Sequence, residues 1–195
     1  STAVALEHIR RAKDAGLPIT AEVCPHHLTL TEEAVKTYDT CCKMAPPLRT
    51  QKDVEALQKA LKDGLIDLIA TDHAPHGLVD KAVEFDQAAN GIIGLQTAVP
   101  LTFKLVDDGI VGLGRWVDSL TLAPAKVLGL PLGTLKPGRD ADVTIFDPGA
   151  KWIFSEDRNF SKSANSPFMN WELKGRAVMT IVEGRVRFES KTEAK

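Results

Sequence analysis

Residues Ile69–His76 read IATDHAPH. An apolar run stops at an aspartate, and two histidines follow within four positions. The preceding residues, LIDLIAT (65–71), are mostly apolar and β-prone, as in a strand buried on both faces. Before them, 51–63 carries Val54, Leu57 and Leu61 at helical spacing and ends at Gly64. A helix feeding a buried strand that stops at polar, proton-carrying side chains is the local pattern of a parallel α/β sheet. There functional groups gather at the carboxyl ends of the strands.

Working outward, the same alternation recurs. Ser1 or Thr2 can cap a first helix whose face is Ala5, Leu6, Ile9 and Ala12, closed by Gly16. LPITAEVC (17–24) reads as a strand ending near Cys24. Thr29 or Thr31 can cap a short helix in TLTEEAV. CCKMAPPLRT (41–50) is a loop, because Pro46-Pro47 fits neither a helix interior nor a central strand. Residues 77–90 read as polar and irregular, and helical patterns return over Leu95–Val106, Val111–Leu120 and Ala123–Leu128. Helix and strand alternate, which predicts an α/β fold with parallel strands, either a barrel or an open doubly wound sheet. No glycine-rich phosphate loop follows either strand, which disfavours the nucleotide-binding version.

The character changes after Gly129. PLGTLKPGRDADVTIFDP has closely spaced turn residues and a strand over Asp142–Phe146. AVMTIVEGRVRFE reads as a hairpin turning at Glu183-Gly184, and a long polar connection lies between. The expected organisation is an α/β unit over 1–130, a β unit over 131–190 and a disordered tail over 191–195.

Among 195 residues the formal net charge is −2, which gives no reason to expect a nucleic-acid or membrane partner. No apolar run has the length of a membrane span, and the opening STAVALEHIRR is not a signal peptide. Three cysteines, Cys24, Cys41 and Cys42, are too few and too clustered for a disulfide framework, so a reducing cytoplasm is expected. Cys41-Cys42 lacks the two-residue spacer of metal and redox motifs, and reads as a pair of buried or half-buried thiols.

At the end of the second strand, Asp72 can bind a cation and carry a proton. The alternative is an aspartate capping the next element, followed by exposed loop histidines. The first strand also runs into histidines, PHH at 25–27. Two neighbouring strands with such ends argue for a site.

TAEVCPHHLTLTEEAV, KMAPPLR, IDLIATDHAPH and GIIGLQTAVPL occur in the order and spacing seen in the dihydroorotases of the amidohydrolase superfamily, which this chain resembles along essentially its whole length. GTLKPGRDADVTIFDP is similar to the segment that returns that superfamily's chain from barrel to β-sandwich, and SPFMNWELKGRAVMTIVEGRVRFE to the dihydroorotase C-terminal end. The resemblance implies a (β/α)8 barrel, here its C-terminal part from the sixth helix on, followed by a small β-sandwich portion. The implied reaction is reversible cyclisation of N-carbamoyl-L-aspartate to dihydroorotate in pyrimidine biosynthesis, with a binuclear Zn2+ centre. Asp72 then matches the aspartate that binds one zinc and acts as general base, and His76 the histidine that holds the substrate. Asn90 and Gly91 match a pair whose backbone contacts the pyrimidine ring. Ala45 stands where many members have a substrate-touching asparagine, and alanine cannot make that hydrogen bond.

The same resemblance implies ligands that this chain does not offer. The family's H-x-H, its bridging residue and its two further metal histidines have no counterpart here, His8 reads as surface, and His26 and His27 read as structural. The expectation is therefore a partial chain, inactive alone, of a zinc dihydroorotase. Two other readings are an allantoinase- or hydantoinase-like cyclic amidohydrolase, and a non-catalytic dihydroorotase-like subunit that scaffolds aspartate carbamoyltransferase. Expected partners are a small-molecule substrate and either further copies of the chain or that transcarbamoylase.

Overall fold

The computed structural model describes residues 1–190, so the tail expected over 191–195 lies outside the described residues. The first helix, α1 (Ala3–Asp14), starts because Thr2 Oγ1 accepts the Ala5 N–H at 3.2 Å. Helix α2 (Gln51–Lys62) opens on a reciprocal cap between Thr50 and Asp53 and buries Val54, Leu57, Ala60 and Leu61. Asp53 also accepts the Ala3 N–H at 2.8 Å, which ties the two helix starts together. The Thr50 hydroxyl, followed by that amide, holds the Asp53 carboxyl below its ordinary pKa.

Strands β1 (Glu22–Val23) and β2 (Leu68–Ile69) pair in parallel, Glu22 opposite Leu68 and Val23 opposite Ile69. The parallel arrangement is the expected one, but both strands are much shorter than their apolar runs. Pro18 has no N–H to give, and Ile19 N–H turns back to Leu17 O, so 17–19 stay outside the ladder. Beyond β2 the chain meets a third extended segment through a parallel bridge between His73 and Ile92. Ala74 N–H donates to Ile92 O across it at 2.8 Å.

The stretch 77–90 is more ordered than its sequence suggests. It contains a short helix, α3 (Leu78–Lys81), whose first free amide, Gly77 N–H, is held by Asp80 Oδ2 at 2.9 Å. Helices α4 (Leu95–Asp107), α5 (Leu113–Leu120) and α6 (Leu122–Val127) fall where the periodicity places them. The Thr29/Thr31 ambiguity resolves to Thr31, which caps a 3-10 turn over Glu32–Val35.

The last third forms one antiparallel sheet in the order β3 (Val143–Ile153), β4 (Glu172–Val182), β5 (Arg185–Glu189). β3 runs well past the expected Phe146, with a register shift between Asp147 and Lys151 that absorbs Pro148. The hairpin turns where expected: Glu183 and Gly184 both have positive φ, 51° and 74°, the signature of a type I′ turn. This sheet stands where the resemblance implies the sandwich portion, separate from the parallel β1–β2 pair.

The sheet shares its core with the α/β part. Phe146 packs edge-on against Phe103 of α4 and tilted against Trp116 of α5, at 4.9 and 5.5 Å between ring centroids. Gly175, at φ +92°, makes room for this, since a Cβ there would lie 2.5 Å from Phe146 Cζ. A second cluster joins Trp152, Phe154, Phe168 and Leu173 to Leu48, Ile92 and Leu101. Among the described residues, no helix is long and apolar enough to cross a membrane.

Candidate active site

Because β1 and β2 are paired, their ends lie side by side. The β2 end is open. Asp72 takes a left-handed backbone, φ 48°, and its carboxylate is exposed and accepts no hydrogen bond among the described residues. Aspartate is one of the few non-glycine residues that adopts this conformation at modest cost. The turn aims the chain away from the strand, and the following residues form a knot. His73 Nδ1 accepts the Gly94 and Leu95 N–H groups at 3.0 and 3.3 Å, capping the start of α4. His76 Nε2 lies 2.9 Å from Asn90 O. A carbonyl oxygen only accepts, so Nε2 carries the proton.

Gly91 completes the contact. Its φ is +108°, and a Cβ there would meet the Ala74 methyl at 2.6 Å, so only glycine fits. Gly91 N–H donates to Lys43 O at 2.9 Å. The structure thus brings His76, Asn90 and Gly91 together, with Asp72 four residues from His76 on the same loop. The carbonyl of Asn90 and both backbone groups of Gly91 are engaged within the protein.

Three further residues hold this knot, and none was singled out from the sequence. Asn165 is buried in the connection between β3 and β4. Its Nδ2 donates to Ala74 O (2.9 Å) and Gly91 O (3.2 Å), and its Oδ1 accepts the His76 N–H (3.2 Å). Buried Lys81 donates to Thr40 O (3.0 Å) and Ala89 O (2.7 Å); burial lowers its pKa. Lys43 donates to Asp86 O and Ala88 O at 2.8 and 2.7 Å. The two lysines fasten residues 86–89 and so place Asn90. A polar connection and two ordinary lysines carry no periodicity that flags them. The usable signal was the N-S-P at 165–167, a turn-forming triplet with an amide free to bond backbone groups. Ala45 is exposed in the loop, with no side-chain donor.

The β1 end is closed. His26 and His27, read as structural, are buried at 2% and 5% exposure, with rings 4.3 Å apart. Burial pushes His26 down to about 3, and it lowers His27 as well. The Cys24 thiol is pushed up to about 12, by burial first and then by the charges of Asp72 and Glu22. Cys41 and Cys42 are free thiols, Cys42 buried and pushed up to about 11 chiefly by burial. His8 is exposed.

Asp72 suits one ligand position of a metal centre, an oxygen donor at a strand end with no competing bond. A catalytic zinc takes about three protein ligands, and a pair takes more. The residues on this loop therefore fit one ligand's share of such a centre.

Comparison with known proteins agrees with the fold. The chain is 54% identical over 188 residues to the dihydroorotase of Syntrophotalea carbinolica, covering 96% of this chain and 44% of that protein. It is 51% identical over 189 residues to the dihydroorotase of Geobacter metallireducens, covering 97% and 45%. The chain thus spans a little under half the length of the curated relatives it matches. Among solved structures it is similar to the L-hydantoinase (dihydropyrimidinase) of Arthrobacter aurescens, with a TM-score of 0.90 and 32% identity over 98% of this chain and 44% of that one. The amidohydrolase family model matches residues 3–187. With nearly every described residue inside that match, and with relatives about half identical over nearly the whole chain, the chain belongs to the amidohydrolase family.

Proposed function

We propose that this chain is part of a dihydroorotase, an enzyme that interconverts dihydroorotate and N-carbamoyl-L-aspartate in pyrimidine biosynthesis in the cytoplasm. One observation carries the reading. An unbonded carboxylate, Asp72, opens a loop whose other end, His76 with Asn90 and Gly91, is already assembled, in a chain about half identical to dihydroorotases. In this reading Asp72 is a metal ligand and the catalytic acid–base, while His76, Asn90 and Gly91 bind the substrate.

Opening a cyclic amide needs a strong nucleophile and a polarised carbonyl at neutral pH. A zinc pair, when bound, supplies both. Its other ligands would come from the length of the relatives that this chain does not span. Asp72 accepts the proton that the attacking water gives up and returns it to the ring nitrogen as the C–N bond breaks. His76 faces the anionic carboxylate of the substrate, where an imidazole N–H makes a charge-assisted hydrogen bond. For this it must release Asn90 O or share its proton between the two. Gly91 keeps side-chain atoms away from the ring.

The test is a chimera in which residues 1–190 replace the matching part of the Geobacter metallireducens dihydroorotase. Turnover of dihydroorotate by a folded, zinc-loaded chimera is expected. Likeness to the solved hydantoinase favours a second reading, a hydantoinase-like enzyme. A chimera that prefers hydantoin or allantoin would select it. A folded chimera without turnover of any of these would select a scaffolding subunit, in which binding to aspartate carbamoyltransferase would be the property to measure.

A further inference from the structure

We propose that Cys24, His26 and His27 form a binding site for one zinc-class divalent cation, distinct from the position assigned to Asp72. The thiol sulfur and one ring nitrogen from each histidine already lie within 4.8 Å of one another. Ligand atoms around a tetrahedral zinc sit about 3.3–3.6 Å apart, given bonds of about 2.0–2.3 Å. The cluster therefore needs to close by roughly an ångström, within the reach of side-chain rotation.

Two independent features point to a ligand. His26 is 98% buried, yet its Nε2 has no hydrogen-bond partner among the described residues. A buried polar atom left unsatisfied costs about 1–3 kcal/mol, and a bound ion relieves that cost by taking the lone pair. His27 is arranged as metal-bound histidines are: Nε2 faces the Pro46 carbonyl at 2.9 Å, which fixes the proton there and leaves Nδ1 as the lone pair. Both rings stay neutral at physiological pH because burial disfavours the cation. One sulfur and two imidazoles are a borderline-soft donor set that suits zinc better than magnesium or calcium. Three protein ligands leave a fourth position open to water. Binding breaks the Cys24 S–H bond, forms the sulfur–metal bond and releases one proton to solvent, so affinity rises with pH.

Titration of the metal-free chain with Co2+ tests this. One equivalent is expected to give a thiolate-to-cobalt charge-transfer band in the near ultraviolet, bleached when Zn2+ displaces the cobalt. Cys24→Ser is expected to remove the band, and His26→Gln to weaken binding at least about tenfold. The band should persist in Asp72→Asn and in the Cys41→Ser/Cys42→Ser double variant. No band in the folded wild-type chain, a band that survives Cys24→Ser, or one lost with Cys41 and Cys42 would overturn the site. If Cys24→Ser fails to fold by circular dichroism, X-ray absorption of the zinc-loaded wild-type chain decides instead: one sulfur and two imidazoles support the site, and any other set rejects it.

Discussion

Two neighbouring strands end in histidines, and the protein treats the two ends in opposite ways. At the β2 end the polar groups are out in the open. Asp72 is exposed and unbonded, and His73 and His76 are each spent on a backbone contact. At the β1 end His26 and His27 are sealed in the interior, and one ring nitrogen of His26 has no partner among the described residues. The comparison separates two properties that a histidine-rich motif conflates. Exposure with a free carboxylate suits chemistry on a substrate that comes and goes. Burial with an unsatisfied lone pair suits a permanent occupant.

The contrast is broken most severely through Asp72. In the chimera described above, Asp72→Asn removes a proton carrier and one metal ligand while leaving side-chain size unchanged. The expected loss in rate is at least about a hundredfold, the scale of general acid–base catalysis. Steady-state turnover of dihydroorotate measures it, and near-normal turnover would mean that the open end does not do the chemistry.

A smaller effect distinguishes the two histidines of the open end. His76→Ala is expected to lower kcat/KM by about ten- to a hundredfold, the loss of one charge-assisted hydrogen bond, with zinc per protomer unchanged. His73→Ala removes the acceptor at the start of α4 and should lower stability by about 1 kcal/mol, as other lost helix caps do, with little change in kcat/KM. Metal analysis and kinetics on the two variants side by side check the assignment. Loss of zinc in His76→Ala would make it a ligand instead of a substrate contact.

Asn165 links this end to the rest of the fold. Asn165→Ala leaves the Ala74 and Gly91 carbonyls and the His76 amide without their partner. The expected cost is about 2 kcal/mol, read as a lower Tm in the described chain. An unchanged Tm would show that water replaces the amide without penalty.

Asn165 also marks where the sequence stopped being legible. Helices were readable because their signals are local: Thr2 as a candidate N-cap, and the face Val54, Leu57 and Leu61 at helical spacing. The parallel pairing was readable from alternation of elements. Strand length was not, since extension is local but a ladder needs a partner, and Pro18 and the Ile19 turn remove the first residues from it. The connection over 155–175 reads as long and polar, yet Phe168 fills the core, and Asn165 and Ser166 are buried with it. Nothing in a linear pattern announces that a single amide satisfies three backbone groups from segments about 75 to 90 residues away. At the site, the resemblance singled out Asp72, His76, Asn90 and Gly91, and the last three meet in the fold. The two lysines that fix residues 86–89 were not, because a lysine that spends its charge on carbonyl oxygens looks in sequence like any surface lysine.

At the closed end the effect is graded by acid. In the folded chain burial holds His26 neutral down to about 3, whereas in the unfolded chain it titrates near its ordinary value of about 6.5. Between those values the unfolded chain binds one more proton than the folded chain. Stability therefore rises with pH across that window, is complete above about 6.5, and is lost as pH falls towards 3. One proton gives a slope of at most about 1.4 kcal/mol per pH unit. His27, lowered by the same burial, adds to it with the same sign. Carboxylates such as Asp53, whose folded pKa is depressed, add their own loss at lower pH. The discriminating measurement is therefore the difference between wild type and His26→Gln in urea midpoints from pH 7 to pH 5, both with chelator present to keep metal out. The wild-type chain should lose stability across that range faster than the variant. Equal slopes would mean that the buried ring takes up its proton in place, and that the β1 end is not closed in the way its burial implies.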